Sequence, residues 1–236
     1  MTGEAPVLPA VVLAGGLGTR LGPLTAERPK PLAEVAGRPF LDWLLTWLAR
    51  TGIRDVQLLA GYLGEQIAAF AGDGRRWGLR TRCSIEVTPL GTGGALTQAL
   101  DVLPDAFLLV YGDSYLPIDY TALSRTFSES DTDAMMVVYQ DAEGVTGVAP
   151  NVVVEAGRVS EYAKGGSGRL THVDAGVVAL RRDVLTALPA GRSALETDLY
   201  PALADAGRLR AYPTTQRFYD VGTPARLRDL DHVLRS

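Results

Sequence analysis

The chain has 236 residues, 47% hydrophobic and 21% charged, a balance that excludes disorder and a fibrous architecture and suits one α/β domain with a large core. A formal net charge of −4 excludes a surface built to coat nucleic acid. The single cysteine, Cys83, excludes an internal disulfide and a cysteine-held metal and fits a reducing, cytoplasmic setting; no apolar run approaches the roughly 18 residues that span a membrane, and residues 1–9 lack the parts of a signal peptide.

Residues 10–13 are a short apolar, β-branched run that reads as a buried strand. Gly15, Gly16 and Gly18 follow, so the backbone turns sharply and offers N–H groups to an anion, with Arg20 and Lys30 as flanking cations. A phosphate chain is the guest that suits such a loop. It is not a P-loop, lacking Gly-Lys-Ser/Thr, and not a dinucleotide fingerprint, since Leu21 stands where the third glycine would be.

Residues 39–50 place apolar side chains at helical spacing, with Pro39 in the first turn and Gly52 just past the end. Residues 55–60 read as a strand, 64–70 as a helix and 80–87 as an alternating strand. A helix over about 93–103 follows the glycine-rich segment 89–94, and 107–111 is a buried strand that stops at Gly112 and Asp113. This alternation predicts a three-layer α/β/α, Rossmann-like fold with right-handed crossovers. Asp113 then lies outside the carboxyl end of a strand, where open α/β sheets bind ligands.

Beyond residue 133 the pieces are shorter and β-rich, at 135–139, 151–155, 158–162 and 173–180, which predicts some antiparallel pairing within a mixed, mainly parallel sheet. Helices at 182–188 and 196–206, strands at 209–213 and 217–221, and a helix at 224–234 complete the chain. Residues 164–168 read as a flexible loop, and 1–236 as a single domain.

The run Gly15-Gly16-Leu17-Gly18-Thr19-Arg20-Leu21, with Lys30-Pro31-Leu32 after it, resembles the signature of sugar-1-phosphate nucleotidylyltransferases (NDP-sugar pyrophosphorylases), and the resemblance extends from Val11 to about Leu230. It implies a GT-A-like nucleotidyltransferase fold, with a nucleotide-binding part over about 8–132 and a sugar-phosphate-binding part over about 133–236. The implied reaction joins an NTP to a sugar 1-phosphate and releases pyrophosphate. Leu13, Ala14, Gly15, Gly16, Gly18 and Thr19 would lie along the nucleotide; Arg20 would bind the β- and γ-phosphates and Lys30 the reacting α-phosphate. Asp113, after an apolar strand, and Asp220, in Phe-Tyr-Asp-Val-Gly-Thr-Pro, match the family's metal carboxylates, with Mg²⁺ as the implied cofactor. Arg20, Lys30 and Asp113 are thus the expected catalytic residues.

Glu86, Pro89, Gly91, Thr92 and Gly93 resemble the family's base and ribose loop. A carboxylate only accepts hydrogen bonds, so Glu86 suits the N1–H and N2–H₂ edge of guanine and favours GTP, with UTP, CTP and dTTP as alternatives; it also suits the backbone of its own loop. For the sugar phosphate the resemblance implies Gly147, Lys164 and Asp174, although Ala163 replaces the usual glutamate and Asp174-Ala175-Gly176 the usual Asn-Ala-Gly. Ser84-Ile85-Glu86 with the glycines at 91–94 looks most like short guanylyltransferases acting on heptose or hexose 1-phosphates. With no hexapeptide repeats after Asp220, a monomer or homodimer is expected.

Two rival readings are weaker. A glycosyltransferase of this fold would carry Asp-x-Asp, and Asp113-Ser114-Tyr115 lacks the second acid; a non-catalytic sensor would be expected to lose one of Arg20, Lys30, Asp113 or Asp220. His172 and His232 read as structural or solvent-facing, Cys83 as packing, Arg28 as a loop charge, and Ser114 lies outside a nucleophile elbow.

Overall fold

The computed structural model describes residues 7–163 and 170–235. In chain order the first half contributes β1 (Ala10–Ala14), a tight hairpin of β2 (Glu34–Val35) and β3 (Arg38–Pro39), α1 (Phe40–Arg50), β4 (Asp55–Ala60), α2 (Gly64–Ala71), β5 (Arg80–Ile85), α3 (Gly91–Gln98), β6 (Ala106–Tyr111) and β7 (Ser114–Tyr115). After α4 (Tyr120–Ser128) come β8 (Ala134–Tyr139), β9 (Val152–Glu155), β10 (Arg158–Tyr162), β11 (Val173–Arg181), α5 (Tyr200–Asp205), β12 (Leu209–Thr214), β13 (Tyr219–Asp220) and α6 (Pro224–Arg235).

One nine-stranded sheet takes the order β5-β4-β1-β6-β11-β8-β12-β10-β9. β1 is an interior strand because it is apolar on both faces: Val11 and Val12 are wholly buried, and the pleat sends them into different cores. β4 and β6 flank it in parallel and β5 extends the parallel half, while β11 runs antiparallel to both β6 and β8. The antiparallel pairing expected past residue 133 is therefore present, together with the parallel pair β8 and β12.

Helices cover both faces. α1 presents Phe40, Leu41, Leu44, Leu45 and Leu48, a stripe at helical spacing, to one core, where Ile67 of α2, Leu123 and Phe127 of α4 and Leu230 of α6 join it. Each such side chain contributes about 1.5–3 kcal/mol by leaving water. Leu96 of α3 and Tyr200 and Leu203 of α5 fill the opposite core.

The structure departs from the sequence reading in several places: the helix expected at 182–188 is a 3₁₀ segment, that at 196–206 opens with a π-helical turn, and β2, β3 and β7 are additions. α4 was not anticipated, although Asp119 caps it by accepting from the N–H groups of Thr121 and Ala122 at 2.9 and 3.0 Å, and Tyr120, Leu123 and Phe127 bury one face. The helix expected over 93–103 begins at Gly91 and gives way to a 3₁₀ turn over Leu100–Val102. The strand expected over 217–221 shortens to β13, which leaves the main sheet and pairs antiparallel with β7, placing Asp220 opposite Ser114.

Candidate active site at the carboxyl rim of the sheet

The carboxyl ends of β1, β4, β5 and β6 open on one rim, at the crevice where the chain departs from β1 in two directions. A cleft of about 480 Å³ lies there. Its walls include Leu13, Ala14, Gly15, Gly16, Gly18, Thr19, Arg20 and Lys30 from the first loop, Glu86, Pro89, Gly91 and Thr92 from the second, and Asp113. Gly93 faces elsewhere: a Cβ there would come 2.6 Å from Ser193 Oγ, so this glycine permits close packing of α3 against the loop at 193.

The first loop is shaped by its glycines. Gly18 has φ +64° and packs on the stem of Lys30, while its carbonyl accepts from Leu21 N–H and Thr25 Oγ1 at 2.9 and 3.0 Å. Gly16 has nothing within 4 Å of its missing Cβ, which leaves its backbone open to the cleft. Lys30 is 93% removed from solvent and pairs with Asp113. A buried ammonium held by one carboxylate remains a strong partner for a phosphate oxygen.

Glu86 makes two kinds of contact. Its Oε2 accepts from Leu90 N–H at 3.3 Å, and its Oε1 occupies the space beside Gly15 and Gly61, where a Cβ would lie 2.8 and 2.4 Å away. Burial pushes its carboxyl above the usual range against the opposing pull of that hydrogen bond. One oxygen thus steadies the second loop, and the carboxylate also borders the cleft.

The two aspartates lie on neighbouring segments. Val221 N–H donates to the Asp113 carbonyl at 3.0 Å, a consequence of the pairing of β7 with β13. Asp220 Oδ1 accepts from Gly222 N–H at 2.6 Å and Oδ2 meets Arg226 Nη1 at 3.0 Å. Arg20 Nη2 reaches within 3.5 Å of the Cβ position that Gly222 lacks, so it stands on the same side. Among the described residues no three acids, histidines or cysteines form a metal cage. Two carboxylates fit a hard cation such as Mg²⁺ that takes its other oxygens from phosphates and water.

The sugar-phosphate candidates are spread wider. Gly147 sits at the end of a loop braced by Asp141, which accepts from Val145 and Thr146 N–H at 2.8 and 2.9 Å. Burial opposes ionisation of Asp141, but these bonds and the Thr146 hydroxyl hold its carboxyl below the usual range. Arg226 donates to the Gly147 carbonyl and so ties it to Asp220. Asp174 is not among the residues that line the cleft; it accepts from Gly176 N–H at 2.9 Å and Tyr162 OH at 3.4 Å. Burial, with Glu196 adding to it, pushes its carboxyl up to about 7. Lys164 falls outside the described residues.

Sequence reading missed Glu196, Arg192, Tyr111 and Arg226. Glu196 and Arg192 line the cleft; Glu196 accepts from Thr92 Oγ1 at 2.8 Å and Tyr111 OH at 3.1 Å. It sits on a π-helical turn, Leu195–Leu199, that leads into α5, and nothing in its local pattern marks it. His172 is structural: its backbone pairs with Val152 and its Nδ1 meets Thr171 Oγ1 at 2.8 Å. Cys83 is half-buried on β5, where burial pushes its thiol up to about 11.

The family model described as "Nucleotidyl transferase" matches residues 9–235. The chain belongs to this family. Among nucleotidyl transferase relatives, the mannose-1-phosphate guanylyltransferase of Mycobacterium tuberculosis is 34% identical over 91% of this chain and 61% of its own length. The D-glycero-alpha-D-manno-heptose 1-phosphate guanylyltransferase of Campylobacter jejuni is 36% identical over 51% of this chain and 54% of its own. The chain thus spans little more than half of these two relatives. The N-acetylmuramate alpha-1-phosphate uridylyltransferase of Neisseria meningitidis is 31% identical and matches along 93% of this chain and 95% of its own. HddC from Yersinia pseudotuberculosis, solved in complex with GMP-PN, superposes with a TM-score of 0.81 at 26% identity, covering 96% of this chain and 99% of that one. The nucleotidyl transferase fold expected from the glycine loop is therefore present across the chain. No helix among the described residues is long and apolar enough to cross a membrane.

Proposed function

We propose that this nucleotidyl transferase moves a nucleotidyl group from an NTP, GTP by preference, to a sugar 1-phosphate. An oxygen of the sugar phosphate attacks the α-phosphorus and forms the new P–O bond. The bond from that phosphorus to the bridging oxygen breaks, and pyrophosphate leaves with the electron pair. The observation that carries this reading is the meeting of the glycine loop, Lys30, Arg20 and Asp113 at one cleft, with Asp220 on the strand paired beside Asp113.

Little covalent work falls to the protein in such a displacement; position and charge do most of it. Lys30, buried in the floor, neutralises charge on the α-phosphate, and Arg20 at the mouth takes the departing pyrophosphate. Open glycine backbone lets the triphosphate lie against the main chain. Glu86 accepts from the base edge, while Gly147, Lys164 and Asp174 serve the sugar phosphate. Asp113 and Asp220 are the residues that would hold Mg²⁺, which would supply further neutralisation of the triphosphate. The phosphorylated substrates and the lone cysteine fit a cytoplasmic enzyme, working as a monomer or homodimer without nucleic acid or membrane.

GTP is preferred because Glu86 is an acceptor, and the two guanylyltransferase relatives point the same way; the uridylyltransferase relative keeps UTP as the second choice. The test is a matrix of ATP, GTP, UTP, CTP and dTTP against hexose and heptose 1-phosphates, reading released pyrophosphate. GTP with one of these sugars should give the highest rate. Silence in every cell overturns the reaction, and turnover with UTP or CTP alone overturns the role given to Glu86.

A further inference from the structure

An open groove of about 630 Å³ lies away from the cleft, along the outer side of α1. Four arginines line it, Arg38, Arg50, Arg54 and Arg76, against a single acid, Asp42. That acid is already committed, to Arg38 and to Trp77 Nε1 at 2.8 Å. Among the described residues Arg54 and Arg76 donate only to backbone carbonyls, of Ala49, Ile53 and Phe70, and no carboxylate pairs with Arg50. In a chain of net charge −4 this is a local excess of three positive charges facing open space.

The arginines are also ordered. The Arg76 guanidinium lies 3.8 Å from the Trp77 ring centroid and 4.1 Å from that of Phe70, and the residue is exposed. A guanidinium stacked on one side offers a planar cationic face to an aromatic base on the other. Arg38 stands just before α1 and Arg50 at its end, so the cations span a helix of 11 residues, or about 16 Å. That length exceeds a lone phosphate and matches an extended ligand carrying both a ring and several phosphate charges.

We propose that this groove is a second, non-catalytic site for a nucleoside polyphosphate, its phosphates among Arg38, Arg50 and Arg54 and its base on the outer face of Arg76. Guanidinium forks suit phosphate oxygens, and none of these side chains serves the cleft. The proposal does not rest on the transferase reading.

Calorimetric titration with GDP tests it, with inorganic tripolyphosphate as the second probe. The wild-type chain should bind GDP at the groove, and Arg50→Gln with Arg54→Gln should weaken that binding at least tenfold, with the melting temperature checked alongside. Arg76→Ala should weaken GDP and spare tripolyphosphate. Arg20→Ala with Lys30→Ala should leave the groove binding intact, which separates it from the cleft; failure of the cleft reading would leave a single site that only the groove variants remove. GDP binding unchanged in both groove variants overturns the site, and equal loss of both probes in Arg76→Ala overturns the assignment of a base to Arg76.

Discussion

Lys30 and Asp113 meet as an ion pair in the floor of the cleft, although 83 residues separate them in the chain. Both belong to the proposed chemistry, and the Asp113 carboxylate is the partner of an ammonium that is itself buried. Asp113→Ala should lower turnover by about 10²–10³-fold, the scale of losing one electrostatic contact to a transition state. It should also cost about 1–3 kcal/mol of stability, because the Lys30 ammonium is left buried alone. Lys30→Met should lose as much turnover with a smaller loss of stability. Pyrophosphate release and urea unfolding of both variants check this; normal turnover in either ends the assignment.

Glu86→Gln keeps the shape and adds a donor at the cleft. The kcat/KM for GTP should fall by about 10–100-fold, the range for losing a hydrogen bond to a charged group, while that for UTP moves less. Because the Glu86 carboxyl titrates above its usual range, KM for GTP in the wild type should rise as the pH drops into the mildly acidic region. A steady-state pH series on both proteins reads this. Equal losses for GTP and UTP would assign Glu86 to its loop alone.

Asp220→Asn should raise the Mg²⁺ concentration needed for half-maximal turnover about 10–100-fold. The side chain still accepts from Gly222 N–H, so the loop should hold and the melting temperature should change little. A metal titration at saturating substrates is the measurement. An unshifted midpoint would remove Asp220 from the metal.

Asp174 makes stability depend on pH. Its carboxyl sits at about 7 in the folded chain and near 3.8 when unfolded, so the folded state holds an extra proton between those values. Stability should therefore decline as the pH rises from about 4 to 7 and level off above. Asp174→Asn, a neutral isostere, should flatten that slope and raise the melting temperature at pH 8 by about 2–4 °C for each kcal/mol recovered. Calorimetric scans at pH 5 and pH 8 compare the two proteins; parallel curves would contradict the burial argument.

Gly112→Ala tests the floor. A Cβ there would come 2.6 Å from the Leu13 carbonyl oxygen, which Gly112 N–H already binds at 2.8 Å. Backbone must move to admit it, at a cost of about 1–3 kcal/mol, and Asp113 moves with it. Reduced turnover with reduced stability is expected, read by the same assays.

Much of this was legible in the chain itself. Val11 and Val12 announce a strand buried on both sides, and the glycine loop with Arg20 and Lys30 announces anion chemistry, because local pattern and local chemistry coincide there. α4 carries a readable cap at Asp119 and a readable stripe through Phe127 and was overlooked. Glu196 and Arg226 are different. Their relevance arises only when Thr92 and Tyr111 reach Glu196 from elsewhere, and when Arg226 bridges Asp220 to Gly147. Contacts between distant segments leave no periodicity to read.

The ribbon of β7 and β13 has a bearing on how activity is born. It joins a segment at 114–115 to one at 219–220, more than a hundred positions on. During synthesis the glycine loop and Asp113 emerge first, and the second acid follows only after more than a hundred further residues have left the ribosome. A chain that stops short of residue 220 lacks that acid, so the two carboxylates come together only when these distant segments have paired.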